Sequence, residues 1–132
     1  MKPFLTFTAV VALAVGLFAM GAPVALLESK GATVTPATVV WVREVGVNIF
    51  ALGVMSMLMR RHAASPTLRA FLAGNAVVQL GLLPIELLAW RDGTLRELGG
   101  VVPNSVLHVV LGTTFAVLAL RMREPESRAA VR

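Results

Sequence analysis

Four long apolar runs, residues 4–27, 37–59, 68–90 and 102–120, dominate this 132-residue chain. Each is close to the ~20 residues that an α-helix needs to cross roughly 30 Å of hydrocarbon. Hydrophobic residues make up 57% of the chain and charged residues 14%, against about 45–50% and about 25% in soluble domains. A soluble fold this apolar has too few polar groups to cover its surface, whereas lipid-facing positions take Leu, Val and Ala readily. The runs are joined by short polar connections, residues 28–36, 60–67 and 91–100, which make successive helices neighbours of opposite direction. The expected fold is all-α: one domain, residues 1–132, forming an antiparallel four-helix transmembrane bundle with a basic tail at 121–132.

The first run admits a second reading. Met1-Lys2, an apolar stretch and the small residues Ala19, Gly21 and Ala22 also outline a cleaved secretory signal. The stretch exceeds the usual ~7–15-residue core of such signals, so it is read as a retained helix. Orientation follows from the Lys/Arg bias. With the N-terminus in the cytoplasm, Lys2, Arg60, Arg61, Arg69, Arg121, Arg123, Arg128 and Arg132 lie inside, eight of the twelve basic residues. Trp41 and Trp90 then fall at the outer ends of their helices, where amphipathic rings favour the interface. The expected location is the cell inner membrane, multi-pass, with both termini cytoplasmic.

The net charge of +5 does not point to nucleic acid, because the basic residues flank apolar runs and form no patch interleaved with aromatics. With no cysteine, disulfides, thiolate metal sites and Fe–S clusters are excluded. Met55, Met57 and Met59 read as lipid-facing or core filler, and the lack of an HExxH pattern argues against a metal centre. No metal or cofactor is expected. Phosphate-cradling glycine loops and a nucleophile elbow are also missing.

Chemistry therefore has to come from polar residues that the bilayer makes costly, about 2.5–3.5 kcal/mol for a central charge. Arg43, Glu44 and Asn48 lie on the second run, Asn75, Gln79 and Glu86 on the third, and Asn104 and His108 on the fourth. At about 100° per residue, Asn75, Gln79 and Glu86 share one face, while Glu44/Asn48 and Asn104/His108 are i,i+4 pairs. Glu44, Glu86 and His108 also fall at similar depth in the outer half of the bilayer. The expected ligand-binding set is Arg43, Glu44, Asn48, Gln79, Glu86 and His108. Arg43 is expected to pair with one carboxylate while the other shares a proton with His108. Pro84 should kink the third helix beside Glu86 by freeing the Leu80 carbonyl. A plainer reading of the same residues stays open: Arg43 and Glu44 as interfacial side chains with Arg43 snorkelling, and the amides as interhelical hydrogen bonds. Gly46 with Gly53, and Gly74 with Gly81, are expected to be close-packing helix surfaces.

The second run reads Arg43-Glu44-Val45-Gly46, then Leu52-Gly53, then Arg60-Arg61. It resembles the Arg-x-x-Gly, Leu-Gly, basic-stop pattern of small DoxX-like four-helix membrane proteins of bacteria, as do chain length and helix count. The resemblance implies a four-helix membrane fold and a membrane subunit beside a quinone-linked or redox enzyme. With no cysteine, thiol-dependent chemistry is not carried over.

The leading functional expectation is a non-enzymatic accessory or ligand-binding membrane protein whose polar pocket opens to the extracytoplasmic side. Its partners would be the lipid bilayer, a larger membrane complex or a second copy, and a lipophilic small molecule. One alternative is a membrane enzyme acting on a quinone, sterol or isoprenoid, with Glu86 and His108 as an acid/base pair. Another is a small proton-coupled transporter using Glu86.

Overall fold

The computed structural model describes residues 1–122, which form five helices: α1 Lys2–Gly21, α2 Pro23–Ser29, α3 Pro36–Met59, α4 Pro66–Arg91 and α5 Leu98–Arg121. No strand occurs among the described residues. All but the short α2 are long and apolar enough to cross a membrane. Of the tail expected at 121–132, only Arg121 and Met122 lie within the described residues.

Proline opens four of the helices. In the first turn its missing N–H removes no helical hydrogen bond and its fixed φ is already helical. Side-chain caps complete two of these starts. Thr35 Oγ1 accepts from the Thr38 N–H at 3.1 Å while Thr38 Oγ1 accepts from the Thr35 N–H at 2.8 Å. Ser65 Oγ accepts from the Leu68 N–H at 3.2 Å.

Two boundaries differ from expectation. The first apolar run is two helices, parted at Ala22, whose φ of −131° and ψ of 54° leave the helical region. Pro23 is the cause: its ring crowds the preceding residue out of helical geometry, and it offers no N–H to continue the ladder. The fourth long helix begins at Leu98, ahead of residue 102, and carries Pro103 within it. Helix α4 runs unbroken through Pro84.

The long helices associate as two pairs, α1 with α3 and α4 with α5. Glycine sets the first pairing. A Cβ on Gly46 would lie 2.9 Å from Met20 Cγ and 3.0 Å from Ala19 Cβ, one on Gly16 2.7 Å from the Phe50 nitrogen, and one on Gly53 2.9 Å from Leu13. In the second pair Gly112 faces Leu80, whose Cδ2 a Cβ would approach to 2.7 Å. Gly74 and Gly81 do not act as expected: nothing lies within 4 Å of a Cβ added at either, because the side of α4 that carries them turns away from the other helices.

The pairs meet where α1 and α4 begin and α3 and α5 finish. Leu5, Leu68, Leu72, Ala76, Leu111, Phe115 and Ala119 form a buried cluster there, with Phe4 and Met59 packed on it. Phe4 and Phe115 stack edge to face, their centroids 4.9 Å apart and their planes at 71°. Above this floor the pairs separate around a cavity.

Gly46→Leu should therefore cost about 1–3 kcal/mol by overpacking against α1, and Gly81→Leu close to nothing. Thermal unfolding midpoints of both variants in a mild detergent check this contrast.

Candidate functional site

The cavity has a volume of about 440 Å³, within the usual range of ligand pockets, about 300–1,000 Å³. Its walls are mostly aliphatic: Val11 and Val15 from α1, Ile49 and Leu52 from α3, Val78 and Leu82 from α4, Leu107 and Leu111 from α5. Thr8, Ser56 and Asn75 lie toward the floor. Thr8 and Asn75 direct their donors to their own helices, at the Leu5 carbonyl (3.1 Å) and the Phe71 carbonyl (2.9 Å). Among the described residues, Lys30, Glu86 and His108 are the titratable side chains that line the cavity.

These three belong to one hydrogen-bonded chain. The Lys30 ammonium donates to Glu86 Oε1 in a close ion pair. Asn104 Nδ2 lies 2.9 Å from Glu86 Oε1 and 3.0 Å from Oε2, and Ser105 Oγ donates to Oε2 at 2.9 Å. Asn104 Nδ2 is also 3.0 Å from His108 Nε2, and His108 Nδ1 contacts Gln79 Oε1. The proton positions follow from the ends inward. A carboxylate only accepts, so the Asn104 atom facing it is the amide nitrogen, and His108 Nε2 then accepts from that nitrogen. Nδ1 therefore carries the ring proton and donates to the Gln79 carbonyl. Both Glu86 oxygens and both His108 nitrogens are occupied, and Glu86 is only 7% exposed.

Backbone packing delivers Lys30 to this place. The break at Ala22 redirects α2, and Gly31, at φ +65°, turns the chain immediately after Lys30. The Lys30 carbonyl accepts from the Arg96 and Glu97 N–H groups at 2.9 and 3.2 Å. Gly100 allows the close approach, since a Cβ there would run into the Ser29 carbonyl. Both ends of Lys30 are thus tied to the α4–α5 pair.

Of the expected ligand-binding set, the structure brings Gln79, Glu86 and His108 together and leaves Arg43, Glu44 and Asn48 out. Those three are exposed and do not line the cavity, and Asn48 Nδ2 only reaches back to the Glu44 carbonyl at 2.9 Å. The reason is rotational. The α3 side held against α1 is that of Gly46 and Gly53, and Glu44 and Asn48 are each about 200° around the helix from Gly46. The cation beside Glu86 is accordingly Lys30 and not Arg43. Glu86 and His108 share no direct contact; Asn104 bridges them. Lys30 and Ser105 were missed. The signal available for Lys30 was a lone lysine just past a proline-interrupted helix; Asn104, already paired with His108 by its i,i+4 spacing, was left out of the expected set.

Comparison with family models, curated proteins and solved structures gave no match to this chain.

Lys30→Met strands a buried carboxylate and should lower stability by about 1–3 kcal/mol, whereas exposed Arg43→Met should be near neutral. The double variant Lys30→Met/Glu86→Leu should recover much of the loss, because it removes both charges together. A double-mutant cycle on unfolding midpoints in detergent checks the coupling.

Proposed function

We propose that this is a multi-pass membrane protein of the accessory or ligand-binding type. Its cavity receives a lipophilic molecule, head group against the Lys30–Glu86–Asn104–His108–Gln79 cluster and apolar body along Val15, Ile49, Leu52, Leu107 and Leu111. The observation that carries this reading is the cavity itself: aliphatic walls with one hydrogen-bonded polar cluster at the end opposite the closed core. The long helices form an antiparallel bundle in the inner membrane, a reading supported by the pairing of Ala19 with Gly46 and of Leu13 with Gly53. The termini are cytoplasmic, and the polar cluster faces the extracytoplasmic side. The DoxX-like pattern around Arg43, Gly46 and Gly53 is in keeping with this fold class.

Binding is favoured over catalysis by the saturation of the network. A general base needs a lone pair directed at substrate, and all four candidate atoms on Glu86 and His108 already hold partners. A proton-coupled transporter needs a wet path to both sides, and the apolar cluster around Phe115 closes one end.

Two experiments test the reading. The cysteine-free chain gives no labelling background, so Ala64→Cys and Thr94→Cys, both at exposed positions, should react with an impermeant maleimide from opposite sides. Reaction of both from one side overturns the topology. Native mass spectrometry of protein extracted in mild detergent should show a retained small lipophile, and Leu111→Trp, which fills the cavity, should lose it.

A further inference from the structure

The charges at the mouth of the cavity cancel. Lys30 and Glu86 neutralise each other, and His108 is held as a neutral ring with its proton on Nδ1 by Asn104 and Gln79. No other charged side chain among the described residues lines the cavity. Besides the further protons of the Lys30 ammonium, which donates once, to Glu86, two groups in the cluster remain uncommitted among the described residues. The Asn104 carbonyl oxygen takes part in none of the hydrogen bonds, and neither does the Gln79 amide nitrogen. Neither is sealed away, since no buried side-chain polar atom in the described residues is left without a partner. One is an acceptor and the other a donor, and the two amides sit at opposite edges of the same imidazole.

Resting on the ligand-binding reading above, we propose that the cavity selects an uncharged amphiphile whose head group both donates and accepts a hydrogen bond, such as a long-chain alcohol or primary amide. A hydroxyl or amide head has a donor for the Asn104 oxygen and an acceptor for the Gln79 nitrogen, and needs neither partner of the Lys30–Glu86 pair. Charged heads lack this option. An anionic head that shares the Lys30 ammonium sets two anions against one cation, and one that displaces Glu86 leaves a buried, unpaired carboxylate. A cationic head that takes Glu86 strands the Lys30 ammonium. A charged head that displaces neither brings an uncompensated charge into a cavity of low polarity, which is costlier than burying a hydrogen-bonded hydroxyl.

The test uses the full chain in lipid vesicles with three photoprobes. They share one alkyl chain with a mid-chain diazirine and differ in the head: hydroxyl, sulfonate or trimethylammonium. Cross-linked positions are mapped by peptide mass spectrometry. Labelling of Ile49, Leu52, Leu107 and Leu111 is scored against Val77 and Leu120, which are 73% and 80% exposed and report bulk lipid. The hydroxyl probe should label the cavity positions above this reference, and each charged probe at least about tenfold less. Glu86→Gln keeps the shape of the side chain and leaves Lys30 uncompensated, so the sulfonate probe should then label the cavity at least as strongly as the hydroxyl probe. Equal labelling of the wild-type cavity by a charged probe overturns the head-group selection while leaving lipophile binding intact, as does an unchanged ranking in Glu86→Gln. Labelling of the cavity by none of the probes overturns both readings.

Discussion

The pairing of Lys30 with Glu86 decides how the two halves of this molecule stay together at the open end. Helices α1 and α3 are held to each other by glycine-mediated backbone approach, and α4 and α5 by the contact at Gly112. What joins the pairs is an apolar cluster around Leu5 and Phe115 at one end and, at the other, Lys30, whose ammonium meets Glu86 and whose carbonyl accepts from the Arg96 and Glu97 N–H groups. An apolar closure there would have filled the space with side chains. A polar closure made through a single long lysine leaves the volume beneath it open, and so the cavity and the ion pair are one structural feature.

The same pair explains why so many polar groups can sit among aliphatic walls. A half-satisfied buried network costs more than an apolar core, whereas a complete one rigidifies it. Here Glu86 receives donors from three residues, and the Asn104 amide links it to His108 and on to Gln79. Because Asn104 donates in both directions, its amide is locked, and the tautomer of His108 is locked with it. The cluster is a preformed surface of fixed donors and acceptors. That suits recognition of a head group better than proton transfer, which would require Asn104 to give up one of its acceptors.

Much of the architecture was legible because hydrophobic length and proline placement are local properties. The runs ending at Met59 and near Trp90 become α3 and α4 within a few residues, and the face of α4 carrying Asn75 and Glu86 is the buried one, with Val77 outward. The site was only partly legible because it depends on rotation and on a chain break. On α3 the small-residue face and the polar i,i+4 pair point about 200° apart, so both could not face the bundle. Gly46 packs against α1, and Glu44 and Asn48 are consequently exposed. Lys30 was invisible for another reason: its position depends on the turn at Ala22, on Gly31 and on the glycine at 100, three features that no periodicity search connects. Gly74 and Gly81 show the opposite error, a regular spacing with no helix opposite it.

The geometry also bears on how a ligand would sit relative to the membrane. Glu86 is five residues from the end of α4 and Asn104 six from the start of α5, which at 1.5 Å per residue places both about 7–9 Å inside their helix ends. Phe115, on the floor, is eleven residues further along α5, or about 16 Å deeper. Measured from the start of α5, Phe115 is seventeen residues or about 25 Å in, past the middle of a roughly 30 Å hydrocarbon layer. On the proposed ligand-binding reading, a molecule in the cavity would have its head about 7–9 Å inside the helix ends and its apolar body extending toward the middle of the bilayer. Among the described residues, the bonds across the open end are those of the Lys30 ammonium to Glu86 and of its carbonyl to Arg96 and Glu97, so sideways exchange between the helix pairs there would have to part both.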